Sequence, residues 1–140
     1  MVDFIVKKFT SIATNCLQKN AKELGVDKTN VELTLRFGRG GEVEYLLMKE
    51  YAPTKVLTFL QVLGVKLDFK GYSLFVPKFI KGALNRFCDK HTIAKDKVGV
   101  MMFLTIKNEL MLFLYDGTKP IERVELESLF DSEDMINMEQ

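Results

Sequence analysis

Residues 98–115, VGVMMFLTIKNELMLFLY, constrain the fold more than any other stretch, because they read as a β-hairpin without a polar face. Strand side chains alternate between two faces. Pairing Ile106 with Leu110 across Lys107, Asn108 and Glu109 puts Val98, Val100, Met102, Leu104 and Ile106 on one face, with Leu110, Leu112 and Leu114. Met101, Phe103 and Thr105 share the other with Met111, Phe113 and Tyr115. The first set is an aliphatic core face. The second needs a cover too: another layer of this chain, a second copy, or a partner protein. Each aromatic ring there buries about 150–250 Å² when covered, and an open patch of that kind approaches the largest a monomer ordinarily shows. Met101, Phe103, Met111, Phe113 and Tyr115 are therefore the candidate protein interface.

The rest of the chain alternates helix with hairpin. Ile5, Phe9, Ile12, Ala13, Cys16, Leu17 and Leu24 recur at helical spacing, with Asp3 to cap the start and Gly25 to end the helix. Residues 31–37 alternate strictly. A loop of Gly38, Arg39 and Gly40 is expected to turn them back so that Leu35 meets Val43, Leu33 meets Tyr45 and Arg36 meets Glu42. That hairpin has one apolar face and one charged face, so Leu33, Leu35, Val43 and Tyr45 are expected inside and Glu32, Arg36, Glu42 and Glu44 in water. Pro53 suits a first helical turn and opens a short helix with Val56, Leu57, Phe59, Leu60 and Leu63. Residues 65–69 and 72–76 then read as a second hairpin about Lys70 and Gly71. Pro77 opens a third helix in which Phe79, Ile80, Ala83, Leu84, Phe87 and Cys88 fill one half. After the 98–115 hairpin, Asp116 and Gly117 mark a turn, and residues 120–126 read as an edge strand, with helix nearly as good a reading for 121–130.

The expected architecture is one α+β domain over residues 1–130, a largely antiparallel sheet of six or seven strands built from three hairpins with three interspersed helices, α-ββ-α-ββ-α-ββ. An acidic, flexible tail follows at 131–140. The unit lengths are unequal and no residue pattern recurs, so no sequence repeat is read. In its order of helices and hairpins alone, the chain resembles the double-wing DNA-binding domain of a phage middle-transcription activator. No motif is shared, so the resemblance is one of topology.

Charge is uneven around a net of +1. Residues 66–97 hold eight Lys and Arg against three Asp, and residues 122–140 hold seven acids against Arg123. Lys66, Lys70, Lys78, Lys81, Arg86, Lys90, Lys95 and Lys97 thus form a candidate nucleic-acid surface on and beside helix 77–91. A whole-chain charge near zero argues against a committed nucleic-acid binder. The first apolar run stops at Lys7 and Lys8, too short for a secretory signal, and no run is long enough to cross a bilayer as a helix. With two cysteines, both on apolar helix faces, a reducing cytoplasmic setting is expected.

Catalytic constellations are not legible. His91 lies three residues from Cys88, but that thiol faces the apolar half, where its pKa rises and its reactivity falls. Structural zinc takes four ligands, mostly Cys and His, and Cys16, Cys88 and His91 are all this chain has. Gly38, Gly40 and Gly41 lie between two strands rather than between a strand and a helix, so they read as a turn and not a phosphate loop. The expectation is a non-catalytic regulatory or interaction protein, with no metal or small-molecule cofactor and no membrane contact, that self-associates or holds a protein partner through the 98–115 face. The alternative is a DNA- or RNA-binding regulator using the basic segment.

Overall fold

A stripe of apolar residues organises each long helix. In the computed structural model, which describes residues 2–63 and 72–130, α1 (Val2–Leu24) buries Ile5, Phe9, Ile12, Ala13, Cys16, Leu17 and Ala21. It stops at Gly25, whose φ of +69° suits glycine, and the Val26 N–H donates back to the Ala21 carbonyl at 3.0 Å. The second long helix, α3 (Tyr72–His91), buries Val76, Phe79, Ile80, Ala83, Leu84, Phe87 and Cys88. Residues 72–76 are therefore helical and not the strand expected of them, and Pro77 lies inside the helix instead of opening it. Keeping Val76, 1% exposed, in phase with Phe79 and Ile80 outweighs the one backbone hydrogen bond that a proline forfeits. The strand and turn read over 65–71, with Lys66 and Lys70, and the tail 131–140 lie outside the described residues, apart from the edge at 72.

Among the described residues, six strands form one antiparallel sheet in the order β3-β2-β1-β4-β5-β6, with β1 Val31–Phe37, β2 Val43–Lys49, β3 Ala52–Leu57, β4 Val98–Leu104, β5 Leu110–Asp116 and β6 Lys119–Val124. Both long helices pack on its inner face, where Leu33, Leu35, Leu47, Val100, Met102 and Leu114 are fully shielded. Phe130 follows a short 3-10 turn (Leu126–Leu129) after β6. It wedges between the helices, with ring centroids 5.5 Å from Phe9 and 5.7 Å from Phe79.

Several expectations change. The order is α-βββ followed by a second α-βββ, not α-ββ three times, so the topology on which the double-wing resemblance rested is not the one found. Pro53 opens no helix. It sits in the edge strand β3, where a missing N–H is tolerated, and β2 reaches β3 through a two-residue turn with positive φ at both Glu50 and Tyr51. A short helix, α2 (Phe59–Leu63), begins only at Thr58, which forms a capping box: the Gln61 N–H donates to Thr58 Oγ1 at 3.1 Å and the Thr58 N–H to Gln61 Oε1 at 2.8 Å. Both hairpins have longer loops than expected. Leu35 pairs with Tyr45, Leu33 with Leu47 and Arg36 with Glu44 in the first, and Leu104 pairs with Leu110 in the second. Each register moves by two residues, which preserves the face of every side chain within the strands. Ile106, expected in the core, instead lies in the loop and is 84% exposed.

The same error occurs twice because the two halves are equivalent. β1 and β4 begin at residues 31 and 98, a difference of 67, and the same offset carries β2 onto β5, the start of β3 onto that of β6, and the end of α1 onto that of α3. The loops repeat as well. The Val26 to Ala21 bond recurs as Ile93 to Cys88, Asn30 to Asp27 as Lys97 to Ala94, Gly38 to Glu42 as Thr105 to Glu109, and Glu50 to Asn30 as Gly117 to Lys97. The outer strands slip register at equivalent places, after Leu47 and after Leu114. Reading outward from the central β1 and β4, both directions are alike, as a two-fold axis through the Thr34 and Met101 pair requires. The residues differ: equivalent positions are identical only at Leu17/Leu84, Lys28/Lys95, Val31/Val98, Glu42/Glu109, Leu47/Leu114 and Pro53/Pro120.

Leu47→Ala and Leu114→Ala, at equivalent and fully buried sites, are each expected to cost about 3 kcal/mol of unfolding free energy. Ile106→Ala is expected to change it by less than about 0.5 kcal/mol. Urea denaturation checks all three, and a large cost at Ile106 contradicts the register.

Candidate functional site

The face of the sheet away from the helices is built in three cross-strand rows. Val56, Leu46, Thr34, Met101, Phe113 and Arg123 form the central row, from β3 to β6. Beside it run Pro53, Met48, Glu32, Phe103 and Met111. On the other side run Glu44, Arg36, Gly99, Tyr115 and Pro120. Neighbours within a row are close enough to touch. All five expected interface residues, Met101, Phe103, Met111, Phe113 and Tyr115, are on this face and half-buried. The Phe103 and Phe113 rings stack with centroids 6.0 Å apart and planes 13° apart. Among the described residues, no helix packs on them.

The patch is wider than the 98–115 hairpin. Leu46 and Met48 of β2 and Val56 of β3 extend it, and Val56 is 54% exposed. The strand that begins with Val43 and Tyr45 runs on to Lys49, and Leu46 and Met48 fall on the face of Glu44, where the alternation of polar and apolar residues ends. Val56 was hidden by reading β3 as a helix.

Glu32 contradicts the expectation that it is wet, being 2% exposed. Its neighbours across the sheet are Met48 and Phe103, long side chains that close over a carboxylate in a way short polar ones do not. Burial pushes its pKa above the ordinary carboxylate value, against the pull of a hydrogen bond from the Tyr51 backbone. Its Oε2 has no hydrogen-bond partner among the described residues. Arg36 and Glu42 are exposed and Glu44 is half-buried. Arg36 and Glu44, cross-strand neighbours, are paired at 3.3 Å.

Of the eight basic candidates, Lys66 and Lys70 lie outside the described residues. Lys78 and Lys90 are exposed on α3 and Lys97 in the loop before β4. Lys81 pairs with Glu42 at 3.0 Å, and the Arg86 guanidinium donates to the Ser128 carbonyl at 2.9 Å, so both help dock the helix. Among the described residues, Lys81 and Lys95 line, with Arg36 and Arg39, a cleft where β1 turns into β2. The remaining candidates for chemistry are bonded or buried. His91 Nε2 lies 2.9 Å from Glu122 Oε1, tying the end of α3 to β6. Both thiols are free and buried; burial raises the Cys88 pKa and pushes that of Cys16 to about 11. The described residues contain no cluster of three or more metal-ligating groups, and no helix long and apolar enough to cross a membrane. Comparisons with protein-family models, with curated proteins and with solved structures find no match to this chain.

A carboxyl whose folded pKa is raised contributes stability in its protonated form below the unfolded pKa, and this is lost as pH rises through the folded value. Glu32→Gln is therefore expected to stabilise the protein at neutral pH, on the order of 1 kcal/mol, because it removes an incompletely bonded charge from a shielded position. The advantage is expected to vanish in acid below the ordinary carboxyl range. Denaturation midpoints of both proteins across that pH range measure it, and a variant less stable than wild type at neutral pH contradicts the assignment.

Proposed function

We propose that this chain is a non-catalytic binding protein that associates with a second copy of itself through the outer face of the sheet. The observation that carries this reading is the row structure of that face, in which apolar side chains of β4 and β5 lie side by side, and those of β2 and β3 beyond Thr34 and Glu32 of β1, with no layer over them among the described residues. A face meant for water reads as polar residues at alternate positions. Methionine and aromatic residues are the types enriched at the centres of protein interfaces.

Chemistry favours a second copy over other occupants. Six strands by seven residues span about 24 Å by about 20 Å, a plan area of roughly 480 Å², below the roughly 800 Å² per partner of a standard interface and at the size of a weaker contact. Sheets stack face to face about 10 Å apart, a distance that interdigitating Phe103, Phe113, Met101 and Met111 fill. A two-fold contact must also be self-complementary. The margins of the face carry groups of both kinds, the Tyr115 hydroxyl and the Arg123 guanidinium as donors and the Glu44 carboxylate as an acceptor.

Phe113→Asp tests the reading. Arg123 is its cross-strand neighbour, so the new carboxylate has a partner within one protomer and the fold is expected to persist. Wild type is expected to run as a dimer by light scattering and the variant as a folded monomer. A wild type that stays monomeric at high concentration contradicts self-association. A variant that unfolds means the face is covered from within the same chain.

A further inference from the structure

The near-identical geometry of the two halves makes each a template for the other, and they differ at one place where a ligand fits. In the second half, the loop between β4 and β5 is tied to α1 and to the segment before β1 by one side chain. Asn108 Oδ1 accepts from Gln18 Nε2 at 3.1 Å and from Lys28 Nζ. The offset of 67 maps Asn108 onto Gly41, Gln18 onto Asn85 and Lys28 onto Lys95. Around the first loop the two donor-bearing residues are thus present and the acceptor is missing.

The consequences are visible on Gly41 and Lys95. Gly41 keeps the left-handed backbone of Asn108, with φ of 81° against 63°, and a Cβ built on it meets nothing within 4 Å. Lys95 has no hydrogen-bonding or ion-pair partner among the described residues. Asn85 lines the cleft as well, but its buried, unpartnered atom is Oδ1, an acceptor that calls for a donor and not for an anion. Asparagine is one methylene shorter than the glutamine at the equivalent site, so its amide stops further from the loop. The result is an open cleft of about 650 Å³, within the size range of small-molecule sites.

The charge of the cleft states what the missing acceptor is. Arg36, Arg39, Lys81 and Lys95 line it against the carboxylates of Glu44 and Asp96. Glu44 is engaged by Arg36, and Glu42 at the rim engages Lys81, which leaves Arg39 and Lys95 as cations without a carboxylate bonded to them among the described residues. A guanidinium fork and an ammonium facing a space that wants oxygen suit a group with several anionic oxygens.

We propose that this cleft binds a phosphate group, with Lys95 and Arg39 supplying its charge partners, the phosphate oxygen taking the place that the Asn108 carbonyl holds in the other half. The phosphate is carried either on a small phosphomonoester or on a nucleic-acid backbone. The site is separate from the outer-face interface, and its test does not depend on the oligomeric state.

The test titrates the full chain at low salt with inorganic phosphate, a nucleoside monophosphate, and a single-stranded oligonucleotide that lacks terminal phosphates, following backbone amide shifts. Saturable shifts centred on Gly41 and Lys95 are expected with phosphate. Tightening by the monophosphate assigns the source to a monoester, and tightening by the oligonucleotide assigns it to a polynucleotide. Gly41→Asn rebuilds the missing acceptor in a backbone conformation its twin already adopts, and is expected to fold as wild type and to lose at least tenfold in affinity. Lys95→Gln, at an exposed side chain, gives an independent loss. Absence of shifts with all three probes overturns the proposal, as does unchanged binding by Gly41→Asn or by Lys95→Gln, which marks an adventitious ion only.

Discussion

The antiparallel pairing of β1 with β4 is the interaction on which the rest depends. Each half alone is a three-stranded sheet with one helix, and its first strand is an edge with unpaired N–H and C=O groups. Joining the two edges, from Glu32 against Phe103 to Arg36 against Gly99, makes one sheet wide enough to carry both helices on the same side. It also aligns the inner rows, so that Leu33 lies beside Met102 and Leu35 beside Val100, all fully shielded. A slip of one residue in this pairing would put β4 side chains on the opposite face from their β1 neighbours and expose the core.

The two faces of the sheet record different constraints. At the buried inner positions the halves stay alike in kind: Leu35 corresponds to Met102, Tyr45 to Leu112 and Leu57 to Val124, apolar for apolar because both helices must be covered. On the outer face the equivalents diverge. Glu32 corresponds to Gly99, Arg36 to Phe103, Glu44 to Met111 and Val56 to Arg123. The loops diverge in the same way, where Asn108 closes one cleft and Gly41 leaves the other open. Packing therefore specifies the inner face, while the outer face and the cleft are free of that constraint.

What was legible in the sequence is what alternation and periodicity carry. The face of each side chain in β1, β2, β4 and β5, the apolar halves of both helices and the stop at Gly25 follow from spacing alone, and so does the Met/Phe/Tyr face. Loop length was not legible, because a shift of two residues leaves the faces unchanged and Gly38, Arg39 and Gly40 offered a plausible short turn. The strand β3 was hidden because the turn before it places Glu50 and Tyr51 at positive φ without glycine, whereas the equivalent turn carries Gly117 and was read. The duplication was illegible for a related reason: its signal is a pattern of burial and turn geometry, with identity confined to a few scattered pairs. Glu32 and the cleft depend on which strands become neighbours. No local feature of the chain carries that information.

The central claim is that one face of the sheet is covered by this chain's own helices and the other is left for a second copy. Methionine methyl resonances read both faces at once, using a soluble paramagnetic agent at low and high protein concentration. Met102 is expected to be protected throughout, whereas Met48, Met101 and Met111 are expected to be strongly relaxed when dilute and protected when concentrated. Protection of Met101 and Met111 at the lowest concentration would contradict the account, because it would mean that the chain covers its own outer face.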